Sequence, residues 1–154
     1  WMRRPKKLNY IHRKLTDLKY HMYGSNKYLE KHGYPKIVND LNKHKFISYG
    51  KGAPSPVFNP DWALKVGMKD NKKRKPIMKV NSIMGLLLAV ESGVGIAALP
   101  DYLVSLSSNL IKLIPSEEGP ITEAYFVYPE SLKNVARVQA FRNFLYSKIS
   151  EWKF

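Results

Sequence analysis

Read for the spacing of its apolar positions, the chain alternates short strand-like and helix-like stretches. Leu18, Tyr20 and Met22 alternate with Lys19, His21 and Tyr23, the period of two expected of a half-buried strand. Ser25 then stands as an N-cap candidate, and residues 26–32 read as a short helix stopped by Gly33 and Pro35. Residues 46–49 and 77–80 are brief strand candidates, and 50–60, with glycine and three prolines, is loop. Asn81 and Ser82 are placed to cap a helix over 83–92 that ends at Gly93. That helix is apolar nearly all round, which predicts burial on several sides.

Residues 95–99 form a short apolar strand stopped by Pro100, and 101–108 reads as one or two helical turns. Strands follow at 111–114 and 124–128, the second ended by Pro129. Val138, Phe141, Leu145, Ile149 and Trp152 recur at three- and four-residue spacing, an amphipathic helix expected to dock on a sheet. Strands and helices alternate throughout, which favours an α/β arrangement with a mixed sheet.

Length and charge narrow the function classes. The 154 residues suit one domain or two small lobes. Lys+Arg of 26 against Asp+Glu of 12 gives a net charge of +14, a balance suited to a polyanion or an acidic small molecule. The charge is spread, however. Its densest run, 69–75, is closed by Pro76 and reads as a solvated loop or hairpin, and a second basic group is Arg3, Arg4, Lys6 and Lys7. No zinc finger, RNP or KH pattern supports a nucleic-acid surface. Cysteine is absent, which excludes disulfides, Cys-based zinc sites and a cysteine nucleophile. No apolar run approaches the roughly 20 residues of a membrane helix. The first residue is Trp1 rather than Met, so preceding sequence is expected.

Catalytic signatures are missing. His12, His21, His32 and His44 show no metal-ligand spacing, and none pairs with a carboxylate in a motif. His32 is expected exposed at a helix C-terminus, and His21 to be a packed or surface strand residue. There is no nucleophile elbow, P-loop or dinucleotide fingerprint, and Gly93-Val94-Gly95 follows a helix instead of opening one. The reading is therefore of a protein that is not an enzyme and needs no cofactor or metal.

Three stretches in order then point to a family. Residues 23–35 read Tyr-Gly-Ser-Asn-Lys-Tyr-Leu-Glu-Lys-His-Gly-Tyr-Pro, followed by Asp40, Leu41 and His44. Val80, Asn81 and Ser82 lead to 88–100, Leu-Ala-Val-Glu-Ser-Gly-Val-Gly-Ile-Ala-Ala-Leu-Pro. Tyr128 and Pro129 precede 138–145, Val-Gln-Ala-Phe-Arg-Asn-Phe-Leu. Together they resemble the effector-binding domain of LysR-type transcriptional regulators. The resemblance implies a bilobed, periplasmic-binding-protein-like fold (type 2), with the first lobe incomplete in this chain. Residues 1–23 and 120–154 would be partial lobe one and 24–119 lobe two, with the winged helix-turn-helix absent. The uncovered lobe-one residues Tyr125, Val127, Phe141 and Leu145 would then favour self-association.

The implied function is effector sensing in a bacterial, cytoplasmic regulator. A small anionic metabolite would bind between lobes, promoter DNA would be reached only through the missing N-terminal domain, and the full-length protein would form a homo-oligomer, with no membrane contact. Ser25, Asn81 and Ser82 are the candidate effector contacts, because each stands where a strand gives way to a helix and free N–H groups suit an anion. Capping alone also accounts for these residue types. A solute-binding protein of an uptake system and a stand-alone basic nucleic-acid binder are the alternatives.

Overall fold

A computed structural model describes residues 9–50, 61–105, 107 and 109–152, so the basic group at 3–7 and the loop at 51–60 lie outside the described residues. In chain order its strands and helices are β1 (Tyr10–Leu18), β2 (Tyr20–Ser25), α1 (Asn26–His32), β3 (Ile47–Tyr49), α2 (Trp62–Lys65), β4 (Met78–Val80), α3 (Ile83–Glu91), β5 (Ala97–Pro100), α4 (Asp101–Val104), β6 (Leu110–Leu113), β7 (Thr122–Pro129) and α5 (Ala136–Ser150). A 3-10 turn spans Val38–Lys43. Contacts divide the chain into two units, one of residues up to Leu18 with those from Ile121 onward, the other Lys19–Pro120. Strand β2 lies wholly within the second unit, and the boundary expected at 23/24 passes through this strand. No described helix is long and apolar enough to cross a membrane.

In the Lys19–Pro120 unit, β2 lies between β5 and β6 and runs antiparallel to both. Tyr20 faces Pro100 and Tyr23 faces Ala97 on one side, while Ser25 faces Leu110 on the other. Strands β3 and β4 pair in parallel, and Phe46 bridges Ile96 in parallel beside β5. The bridge depends on a close approach. A Cβ on Gly95 would collide with the Lys45 carbonyl, the oxygen that accepts the Ile96 N–H at 2.9 Å.

Helix α3 lays Leu86, Leu87 and Val90 on the sheet against Tyr23, Ile47, Ala97 and Leu99. Burial on several sides, expected from its composition, is not what it shows. Met84 and Leu88, one helical turn apart, are 50% and 58% exposed, because only one face of the helix meets the sheet. The basic run at 69–75 is exposed as expected, except at Arg74. Arg74 is buried over the Phe46 ring, and its guanidinium donates to Asn42 Oδ1 at 2.9 Å and to the Val66 carbonyl at 2.7 Å. Burial lowers its pKa.

The other unit is built on β1 and β7, antiparallel from Tyr10 opposite Pro129 to Leu18 opposite Thr122, with a bulge between Lys14 and Thr16. Polar residues fill β1, which left it unrecognised in the sequence. Helix α5 touches this ribbon through an edge-to-face Phe126–Phe141 contact and a Tyr146 hydroxyl that donates to the Lys14 carbonyl at 2.9 Å. None of its described residues is buried, and Phe141 and Phe144 stay half exposed. Of the expected docking face, Val138, Leu145 and Ile149 are partly buried, while Phe141 and Trp152 are exposed.

The two faces of α3 should respond differently to truncation. Leu87→Ala empties a packed position and is expected to cost about 2–5 kcal/mol, whereas Leu88→Ala should stay within about 0.5 kcal/mol, both read from urea unfolding.

Candidate functional site

Strand polarity sorts the unit's loops onto two edges. The C-terminal ends of β3, β4 and β5 and the start of β2 share one edge, which carries Tyr49, Asn81, Ser82, Asp101 and Tyr20. Asn81 and Ser82 are both exposed there. Ser82 caps α3, its hydroxyl accepting the Gly85 N–H at 3.3 Å, and the Asn81 carbonyl accepts the Tyr49 hydroxyl at 2.9 Å. The N–H groups of Ile83 and Met84 have no acceptor within the helix, so an electronegative group can approach them.

Ser25 is not with them. It ends β2, which runs the other way, so it lies at the opposite edge. It is fully buried and accepts the Tyr28 N–H at 3.4 Å as the cap of α1. Its hydroxyl lies by Gly93, just past the far end of α3, and α3 alone spans about 13 Å. Ser25 and Ser82 thus stand at opposite ends of α3.

Near the start of α3, the described residues enclose a small cavity with room for about one water molecule. Its wall includes Tyr20, Ser48, Tyr49, Trp62, Ile83 and Ala98. Gly119 makes room for Trp62, since a Cβ there would sit 2.6 Å from the indole ring. Ser48 Oγ and Trp62 Nε1 are buried without a hydrogen-bond partner.

The same edge holds a buried polar cluster. Asp101, 6% exposed, accepts from His21 Nδ1 at 2.8 and 2.9 Å, from the Tyr23 hydroxyl at 2.8 Å and from Lys112 Nζ at 3.1 Å. An ionised carboxylate only accepts, so the proton of His21 is on Nδ1. Burial alone would raise the Asp101 pKa, but the hydrogen bonds from His21, Tyr23 and Lys112 outweigh it and hold the carboxyl below its ordinary 3.8. Tyr23 is pushed up, by burial first and then by its bond to Asp101. His21 thus has the carboxylate partner that no motif showed, 80 residues away. His32 also departs from expectation. It is half buried, stacked on the Tyr28 ring at 4.3 Å, with Nδ1 3.0 Å from the Tyr28 carbonyl. No cluster of three or more metal-ligating side chains occurs among the described residues.

Sequence reasoning missed Ser48, Trp62, Gly119 and Asp101. A serine inside an otherwise apolar strand was a faint signal for Ser48; the others meet only through the fold.

The LysR substrate-binding domain family model matches residues 2–149. An HTH-type transcriptional regulator of Haemophilus influenzae is 32% identical over 126 residues, spanning 77% of this chain and 41% of that protein. The regulatory domain of CrgA, a LysR-type transcriptional regulator from Neisseria meningitidis, superposes with a TM-score of 0.78 at 23% identity, over 96% of this chain and 72% of that one. Full-length AphB, the Vibrio cholerae virulence activator, gives 0.66 at 16% identity, over 94% of this chain and 49% of that one. At these identities the likeness to solved structures establishes a common fold. The chain spans less than half the length of its Haemophilus relative.

The Asp101 cluster predicts an acid-sensitive fold. The folded chain holds Asp101 ionised more firmly than the unfolded one, so its contribution is complete above the unfolded value of 3.8 and is lost as pH falls through the lower folded-state value. Denaturant midpoints followed from about pH 7 to about pH 3 should drop in that acid range, and less steeply for Asp101→Asn.

Proposed function

We propose that this chain, which belongs to the LysR substrate-binding domain family, is the effector-sensing part of a transcription regulator. It binds a small metabolite and conveys that binding to a DNA-bound domain. The observation that carries the reading is the family match across residues 2–149. Open α/β sheets hold ligands beyond the carboxyl ends of their strands, which supports an effector at Asn81 and Ser82. Ser25 then serves as a cap. The free N–H groups at the start of α3 suit an oxygen of the effector, in an anionic metabolite a carboxylate.

The Lys19–Pro120 unit acts as the second lobe and the other unit as part of the first. Sensing is favoured over solute uptake because the similar proteins named above are regulators. The ligand is bound and released without chemical change. DNA contact through a helix-turn-helix domain, homo-oligomer assembly and a cytoplasmic setting belong to the same proposal.

The test begins with a thermal-shift screen of metabolites, followed by calorimetric titration of folded variants with the hit. Ser82→Ala should lose roughly 1–3 kcal/mol of binding, a five- to hundredfold weakening, if it hydrogen-bonds a charged group. Ser25→Ala should cost about 1 kcal/mol of stability as a lost cap while effector affinity stays unchanged. Equal weakening in both variants would return Ser25 to the site, and wild-type affinity in Ser82→Ala would move the site away from this edge.

A further inference from the structure

The groove between β1 and α5 gathers positive charge. Arg13, Arg142, Asn143 and Tyr146 line one open concavity of about 280 Å³ there. Arg13 stands opposite Phe126 in the ribbon, and cross-strand partners share a face, so Arg13 lies on the side where Phe126 meets Phe141 of α5. On the helix, Arg142 and Tyr146 are four residues apart, a spacing that sets side chains about 5–6 Å from each other on one face. The Tyr146 hydroxyl donates to the Lys14 carbonyl at 2.9 Å, which pins that face to the strand one residue from Arg13.

No acid answers this charge. Asp17 and Glu123, the acids of β1 and β7, are both held by Lys14, at 2.7 and 3.0 Å. Helix α5 contains no Asp or Glu. Arg142 donates instead from Nε and Nη2 to the side-chain oxygen of Asn143, at 3.3 and 3.1 Å. A neutral amide oxygen is a weaker acceptor for a guanidinium than a charged oxygen is. Two cations beside one groove also repel each other, and an anion between them removes that cost.

We propose that this groove holds a phosphate group, free or carried on a small molecule, between the guanidiniums of Arg13 and Arg142. Near neutral pH a phosphomonoester carries a charge of about −1.5 to −2 and three acceptor oxygens, enough to engage forks from two elements. A carboxylate has one charge and two oxygens in one plane, which a single guanidinium already satisfies. The Arg142 fork exchanges the Asn143 oxygen for a phosphate oxygen, and the Asn143 amide adds N–H donors at the same wall. The site shares no residue with the Asn81–Ser82 edge, so its test does not depend on the effector reading.

The full 154-residue chain is titrated at about pH 7 and constant ionic strength with inorganic phosphate, phenyl phosphate and acetate. The resonances followed are the side-chain Nε–H groups of Arg13 and Arg142, identified by their loss in Arg13→Gln and Arg142→Gln, and the backbone N–H of Asn143. Phosphate should shift both arginines along one saturable curve, with acetate at least about fivefold weaker. Tighter binding of phenyl phosphate marks a phosphorylated small molecule as the occupant, and equal binding marks free phosphate. Read at Asn143, Arg13→Gln and Arg142→Gln should each weaken phosphate about five- to twentyfold. Arg137→Gln removes the same charge from an exposed position on α5 outside the concavity, and should change affinity by less than about twofold. Equal weakening in all three variants would reduce the binding to net-charge attraction and overturn the proposal. So would acetate binding as tightly as phosphate, a shift at only one of the two arginines, or no shift at either.

Discussion

The direction of β2 decides which side chains of the Lys19–Pro120 unit can meet. Set between β5 and β6 and antiparallel to both, it carries its first residues, Tyr20 and His21, to the edge where β3, β4 and β5 end. The polar loops, the cap of α3 and the start of α4 gather at that edge. The same reversal sends Ser25 to the other edge, where it is a buried cap. One choice of strand polarity thus separates two serines that look alike in sequence.

Where β2 meets α4, the fold buries a carboxylate and answers it with three donors. A buried charge without partners would be expelled or neutralised. Asp101 is satisfied by His21, Tyr23 and Lys112, which stand on two different strands, so the cluster ties β2, β6 and α4 together. A few ångströms of slip would leave the charge unpaired. Such a network penalises a shifted register.

The unit also depends on close backbone approaches. Gly95 lets β5 come against the Lys45 carbonyl, and Gly119 lets the Trp62 indole lie against the chain. A side chain at either position would push these segments apart. The uncovered apolar faces of α3 and α5 contrast with this dense region: Leu88 on one and Phe141 and Phe144 on the other remain open.

The periodicity of apolar residues placed most strands and helices near where they form, including the caps at Ser25 and Ser82 and the stop at Gly33. Family membership was also legible, since its ordered motifs are local. Strand β1 escaped because its residues, interrupted by a bulge, show no period of two, and α2 because four residues carry too little pattern. The amphipathic spacing of α5 was read correctly, but how much of that face is covered depends on neighbours it does not encode. Which residues lie together was decided only in three dimensions. His21 and Asp101 stand 80 residues apart, and Ser48, Trp62 and Gly119 belong to three separate segments. Local propensity acts over a few residues, whereas hydrogen bonding and desolvation act on whatever strand polarity and packing bring into contact.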